Sequence, residues 1–390
     1  MLNLDFDPEQ EMLRDTVRGV CASTCPLSVV RELEDDPTGY PPELWKQLGA
    51  LDLVGLLLPE EYGGSAMSAL EGVVLYEELG RALAPTPHFP SAVLCGGALA
   101  KAGSAEQRDS WLSKVASGEA ILVPAWLEAD GGYGPRAVTT RAAGDGDGLL
   151  ISGRKLHVPY ARAASGLVVV ARTGNDDEDV DLFLVDPSAP GVTMTQQFSV
   201  ASDCQYEVVF DNVAVPAEAR LGAPGSGWRT WDQVMLESVV LAAAQAVGGA
   251  RYALEITVQY AKDRHQFDKP LGAFQAIGHY LADASTAVDG AETLVHEAAW
   301  AQATGRPFDK LAPMAKLFAC QTFRDVTAMA QQVFGGIGFT VEFDIQLYFR
   351  RAKQLQLSWW DESYLEELVA RAVIGAGPDG VRDWFAPAPG

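Results

Sequence analysis

The chain changes its pattern twice, and that order leaves few architectures open. Up to about residue 118 it reads as helices, from about Ile121 to Val215 as short strands, and from 229 onward as long helices again. The strand-like runs are Gly166–Arg172 (GLVVVAR), Asp181–Val185 (DLFLV) and Tyr206–Phe210 (YEVVF), rich in β-branched and aromatic residues. Turn-forming stretches separate them, among them GDGDG at 144–148 and the acidic GNDDED at 174–179, which reads as a solvated hairpin end. Strands gathered into one block between helical blocks indicate an α+β chain. At 390 residues the chain exceeds one ordinary core and suggests two or three packed units. The expected division is an N-terminal all-α domain at 1–120, a middle β domain at 121–225 and a C-terminal helical domain at 226–390. Gly222–Gly227 (GAPGSG) serves as the linker between the last two.

Local signals support the helical blocks. Asp7-Pro8-Glu9-Gln10 is a good helix start, because aspartate can cap and proline suits the first turn. Breaks are expected at Pro41-Pro42, at Gly63-Gly64 and across Pro85–Pro90. Long helices are expected over 229–304 and 308–332, where the alanine-rich LAAAQAVGGARYALE permits close packing.

A formal charge of −23 argues against nucleic acid and anionic membranes as partners, so a phosphate-rich ligand needs a local basic pocket. The start has neither a basic n-region nor an apolar h-region, and the densest apolar run, Val239–Val247, is too short to span a bilayer. Five cysteines lie apart without CxxC spacing, and Cys21 and Cys25 read as helix neighbours rather than a disulfide. Histidines 88, 157, 265, 279 and 296 form no HxxxH or HExxH pattern. A reduced, cytoplasmic, metal-free chain is expected.

Two segments carry the chemistry. In Tyr260–Asp283, Arg264, Gln266 and Phe267 end one helix, Pro270 and Gly272 turn the chain, and Phe274-Gln275 begin the next. An arginine at such a corner can hold a pyrophosphate with two donors and an aromatic can cover a planar ring; the local alternative is a capping arginine in a packed turn. Gly335-Gly336-Ile337-Gly338 follows a helix rather than a strand, so it is no dinucleotide fingerprint. It reads either as a helix C-terminus or as backbone close enough to touch a cofactor.

Together, in this order and spacing, the two segments resemble the acyl-CoA dehydrogenase family. The likeness extends to PPELWKQLGALDLVGLLLPEEYGG (41–64), YEELGRALAPTP (76–87) and GRKLHVPYARAASGLVVVAR (153–172), and so covers nearly the whole chain. It implies an N-terminal helical domain, a middle β-barrel-like domain and a C-terminal four-helix bundle. It also implies a flavoprotein, assembled as a homodimer or homotetramer, with FAD held across a subunit interface. Arg264, Gln266 and Phe267 would contact FAD from one subunit, and Gln332, Gly335 and Gly336 its other end from the neighbour. His157 falls where an aromatic lies near the flavin ring. The substrate implied is an acyl thioester of coenzyme A or of a carrier protein, oxidised between its α and β carbons.

The chain departs from the family pattern at the base that removes the α-proton. Counted from Arg350-Arg351-Ala352-Lys353, the usual glutamate falls on Trp359, and the alternative position falls on Ser238. Glu237, one residue and about 100° round a helix from the second position, and Asp361 are the candidate substitutes, with Glu362 close by. The hydroxyls expected to face the flavin are replaced by Leu127 and Pro159, and Asp268 replaces a glycine after Phe267. Three functions fit: a dehydrogenase with a displaced base, an incomplete subunit of a heterotetramer with a paralogous chain, or a non-redox protein that reuses the acyl pocket.

Overall fold

The computed structural model describes residues 6–129, 132–145 and 148–375. Helix α1 (Pro8–Thr24) starts where the sequence predicts. The Asp7 carboxylate accepts from the Glu9 and Gln10 amides, and the Gln10 side chain accepts from the Asp7 amide, closing a capping box. Helices α2 (Leu27–Glu32), α3 (Pro42–Ala50), α4 (Ala69–Arg81), α5 (Gly96–Ala102) and α6 (Ala105–Ala116) complete the first block. The break expected across Pro85–Pro90 is only partial. Phe89–Cys95 forms a π-helical stretch that runs directly into α5, with Pro90 in its first turn, where a missing N–H costs little.

The chain divides into two compact units, and the dividing line differs from the three sequence blocks. One unit holds residues 28–67 and 85–238; the other holds the residues up to 27, 68–84 and those from 239.

In the first unit the strands are β1 (Leu122–Ala125), β2 (Arg141–Asp145), β3 (Gly148–Pro159), β4 (Gly166–Arg172), β5 (Val180–Val185), β6 (Val192–Gln197), β7 (Gln205–Pro216) and β8 (Arg220–Leu221). They form one sheet in the order β6-β7-β3-β2-β4-β5-β8, with β1 parallel to β4. Strand β4 is apolar and buried nearly throughout, whereas β7 buries Tyr206, Val208 and Phe210 in strict alternation. The 174–179 turn joins antiparallel β4 and β5 as a hairpin; residues 146 and 147 of GDGDG lie outside the described residues. Register slips between Lys155 and Val158 as β3 pairs with β7, and this bulge gives His157 a left-handed φ of 53°.

The second unit is helical: α1, α4, the part of α7 (Gly227–Asp263) from Val239, α8 (Gln275–Ala303), α9 (Leu311–Phe334), α10 (Ile345–Leu357) and α11 (Glu362–Gly375). A Cβ on Gly80 would stand 2.0 Å from the Gln245 carbonyl oxygen, and one on Gly248 would stand 1.8 Å from that of Glu77. Helices α4 and α7 therefore cross backbone to backbone, as the small residues of LAAAQAVGG allow. Around that crossing Arg18 makes a two-pronged ion pair with Glu78, the Tyr348 hydroxyl donates to the Arg81 carbonyl at 2.6 Å, and His296 Nε2 meets Glu77 at 2.7 Å. Helix α7 is long and apolar enough to cross a membrane, but 78% of its apolar window is buried inside the protein.

All five cysteines are buried and unpaired. Burial pushes the thiols of Cys21, Cys25 and Cys204 up to about 12, and that of Cys95 well above its ordinary value.

His88 is enclosed completely, its Nε2 3.0 Å from the Leu53 carbonyl, and burial pushes its pKa down to about 4 against the pull of that contact. The folded state thus binds a proton less readily than the unfolded chain. The stability due to neutral His88 is complete above about pH 6.5 and is lost as pH falls towards 4, by up to about 3 kcal/mol. Denaturant unfolding at pH 7 and pH 4.5 should show a smaller loss in His88→Gln than in the wild type.

Candidate functional site

Helix α7 ends at Asp263, and β9 (His265–Gln266) and β10 (Lys269–Pro270) form a small hairpin behind it. Its tip is Phe267-Asp268, both left-handed at φ 54° and 64°, the geometry that tight hairpins usually give to Asn-Gly. Arg264, Gln266, Phe267 and Asp268 are all exposed, Phe267 to 87%. The ring of Phe274 supports the hairpin from beneath, with Lys269 Nζ 4.1 Å from its centre.

Helix α9 ends beside this hairpin. Phe334 stacks on Tyr260 with ring centres 4.2 Å apart, so the two helix ends adjoin within a single chain. Gly335 takes φ 67°, and a Cβ on Gly335 or Gly336 would meet nothing within 4 Å. Gln332 is exposed, while its neighbour Gln331 is buried with an Oε1 that lacks a partner. The structure thus places the end of α7 that leads to Arg264 beside the end of α9 that leads to Gly335.

The turn between α10 and α11 contains Trp359, the position at which the family resemblance leads the base to be expected. Trp359 and Trp360 are both left-handed, at φ 55° and 74°, and the Trp360 ring is buried against Tyr364. This conformation is fixed from α9. Lys316, wholly buried, donates from Nζ to the carbonyls of Leu355 at 3.1 Å and Trp360 at 3.0 Å. Its burial depresses the ammonium, while nearby Cys320 and Asp361 oppose that. Asp361 accepts the Tyr364 amide at 3.0 Å and so caps α11; Glu362 accepts from Gln321 and Gln356.

In the other unit, Glu237 on α7 is bonded to Lys101 at 2.9 Å and to Gln233 at 3.0 Å. Ser238 is buried and donates to the Val234 carbonyl of its own helix at 2.6 Å. His157 is exposed on the bulge, its amide donating to Gln197 and its ring meeting Gln205. Leu127 offers no side-chain donor, and its carbonyl accepts the Leu156 amide at 2.9 Å.

Glu77, Glu292 and His296 bring potential ligand atoms within 4.8 Å of one another. The cluster is already served by cations: Arg251 bonds Glu292 and Asp289, and Arg14 approaches Glu77 at 3.9 Å. Burial, with the Glu77 charge behind it, raises the Glu292 carboxyl.

Three family models match in succession: the acyl-CoA dehydrogenase N-terminal domain at residues 7–119, the middle domain at 125–213 and the C-terminal domain at 225–373. The probable acyl-CoA dehydrogenase YngJ of Bacillus subtilis is 31% identical over 96% of this chain and 100% of its own length. The chain belongs to the acyl-CoA dehydrogenase family. Among solved members, the fold is similar to butyryl-CoA dehydrogenase from Megasphaera elsdenii (TM-score 0.88, 26% identity, 96% of this chain and 100% of that one). It is similar also to the ChsE4-ChsE5 complex from Mycobacterium tuberculosis (0.87, 27%, 99% and 100%) and to the Tcur3481-Tcur3483 steroid ACAD (0.84, 31%, 94% and 98%).

For an acyl-CoA dehydrogenase the donor set at the two helix ends is chemically suited to the phosphate half of FAD. It combines one exposed guanidinium, two exposed amides and an uncrowded diglycine backbone. Asp268 opposes that charge balance and occupies a left-handed position that glycine fills without strain. Asp268→Gly is expected to stabilise the protein by about 0.5 kcal/mol and to tighten FAD binding. Thermal unfolding checks both effects, since the rise in Tm should be larger with FAD present than without it.

Proposed function

We propose that this member of the family takes part in the α,β-dehydrogenation of an acyl thioester with FAD as oxidant. What supports the reading most is that Arg264, Gln266 and the Gly335-Gly336 backbone stand at adjoining helix ends of a chain matched from residue 7 to 373. When bound, FAD supplies an acceptor for the hydride leaving the β carbon. The remaining roles fall to side chains of this protein. Arg264 and Gln266 would offer N–H donors to the pyrophosphate and Phe267 would cover a ring, while Gln332 and the diglycine of a neighbouring subunit would hold the other end of FAD and His157 would stand on the flavin side. A carboxylate must still take the α-proton, because that C–H is a weak acid. Glu237 is the proposed base, freed from Lys101 and Gln233 when substrate enters; Asp361 would act at the expense of capping α11.

Protein purified alone is expected to be yellow and to bleach anaerobically with an acyl-CoA. A colourless protein that cannot be reconstituted with FAD would defeat the reading. Glu237→Gln should lower the bleaching rate by about 100-fold or more with flavin content unchanged. An unaltered rate would remove Glu237 from the mechanism.

A second reading is favoured by the two-component solved relatives together with Trp359 and Ser238 at the usual base positions. Here the chain is the incomplete half of a heterotetramer, and a paralogous chain brings the carboxylate. Co-expression with such a paralogue should then yield one complex containing fewer flavins than chains. A stable homo-oligomer with flavin in every subunit would rule this out.

A further inference from the structure

The β-sheet unit contains a buried ion pair to which the proposed function gives no role. Lys155 is wholly buried and the Glu128 side chain is only 7% exposed. Lys155 Nζ donates to Glu128 Oε1 at 2.6 Å and to the Trp126 carbonyl at 3.2 Å. The Glu128 carboxylate accepts further from the backbone amides of Thr139 and Thr140 and from the Thr139 hydroxyl. With the Leu156 amide bonded to the Leu127 carbonyl, residues 126–128, which follow β1 and belong to no strand, are tied to β3 on both sides of Leu127. Lys155 also stands where β3 leaves its register with β7 and His157 turns left-handed on the way to Pro159.

Stability alone is a poor reason for such a pair. Two charges taken out of water lose hydration that their attraction does not reliably return, and an apolar pair of similar volume often packs as well or better. Burial drives the Lys155 ammonium down to about 8 even with Glu128 acting against it. What charges achieve and methyl groups cannot is direction: one ammonium fixes a carbonyl and a carboxylate at once, and that carboxylate fixes two amides. The flavin-facing positions Leu127 and Pro159 have no side-chain donors or acceptors, so this edge can offer only main-chain groups and shape. Those serve a ligand only if they are already in place.

We propose that Lys155 and Glu128 are a positioning pair for the flavin edge of the β domain, presetting Leu127 and the His157–Pro159 bulge before FAD arrives. The proposal rests on the FAD reading above. The decisive variant is the double substitution Lys155→Met/Glu128→Leu in the full chain, which leaves neither charge unpaired. Three quantities are measured: the thermal midpoint, exchange of the Leu156 amide in apo-protein, and the FAD dissociation constant by flavin fluorescence. The expected result is a folded protein with a somewhat lower midpoint, because the Trp126 carbonyl and the Thr139 and Thr140 amides lose their partners, with Leu156 exchange faster and FAD binding weaker, each on the order of tenfold. A folded double variant that binds FAD with the wild-type constant and an unchanged visible spectrum overturns the positioning role. If the double variant does not fold, Glu128→Gln carries the test. It keeps an acceptor for Lys155 but turns an N–H group towards Thr139, and undiminished FAD affinity alongside faster Leu156 exchange would again overturn the idea. Wild-type protein that takes no FAD overturns the underlying reading and this proposal together, an outcome distinct from equal binding by both proteins.

Discussion

Helix α4 is the member on which the helical unit depends. Gly80 and the Glu77 carbonyl press it against α7 at backbone distance, so no side chain can act as a spacer between the two. Such a crossing tolerates little sliding, and three polar ties fix its rotation. Arg18 reaches Glu78 from α1, His296 reaches Glu77 from α8, and Tyr348 reaches the Arg81 carbonyl from α10. Each buries polar atoms that would otherwise lack partners, so each is costly to leave half made. The positions of α8, α10 and the end of α7 follow from this one contact, and the hairpin carrying Arg264 is built on that end.

Two buried lysines perform related tasks in separate parts of the chain. Lys316 binds the carbonyls of Leu355 and Trp360, and Lys155 binds the carbonyl of Trp126 together with Glu128. Both serve main-chain oxygens released where a regular element stops. Lys316 also accounts for how two tryptophans hold left-handed backbone at adjacent positions, a conformation that costs about 1 kcal/mol or more for each residue unless its surroundings enforce it. The turn between α10 and α11 therefore keeps a rigid frame around two indoles.

Much of this was legible in the sequence, and what was not has a common cause. The Asp7 capping box, the bounds of β4 at Gly166–Arg172 and the close packing of LAAAQAVGG depend on neighbours along the chain or on side-chain volume. The family followed from motif order. The left-handed Trp359-Trp360 turn was not legible, because Lys316 imposes it from 44 residues away. Nor was the exposed, left-handed backbone of His157, because the bulge arises only against β7. Spacing could not separate exposed Gln332 from buried Gln331, whose burial depends on how α9 packs. The Glu77–His296 contact, 219 residues apart, gave no local signal at all.

The buried thiols have a bearing on resistance to oxidants. A reduced flavin left open to air passes electrons to oxygen and generates peroxide, and peroxide attacks cysteine as the thiolate. Here burial pushes the thiols of Cys21, Cys25 and Cys204 up to about 12 and that of Cys95 well above its ordinary value, so almost none of that form exists at neutral pH. Thiols held protonated in this way are poor targets for peroxide, so the core that contains them withstands an oxidising neighbourhood.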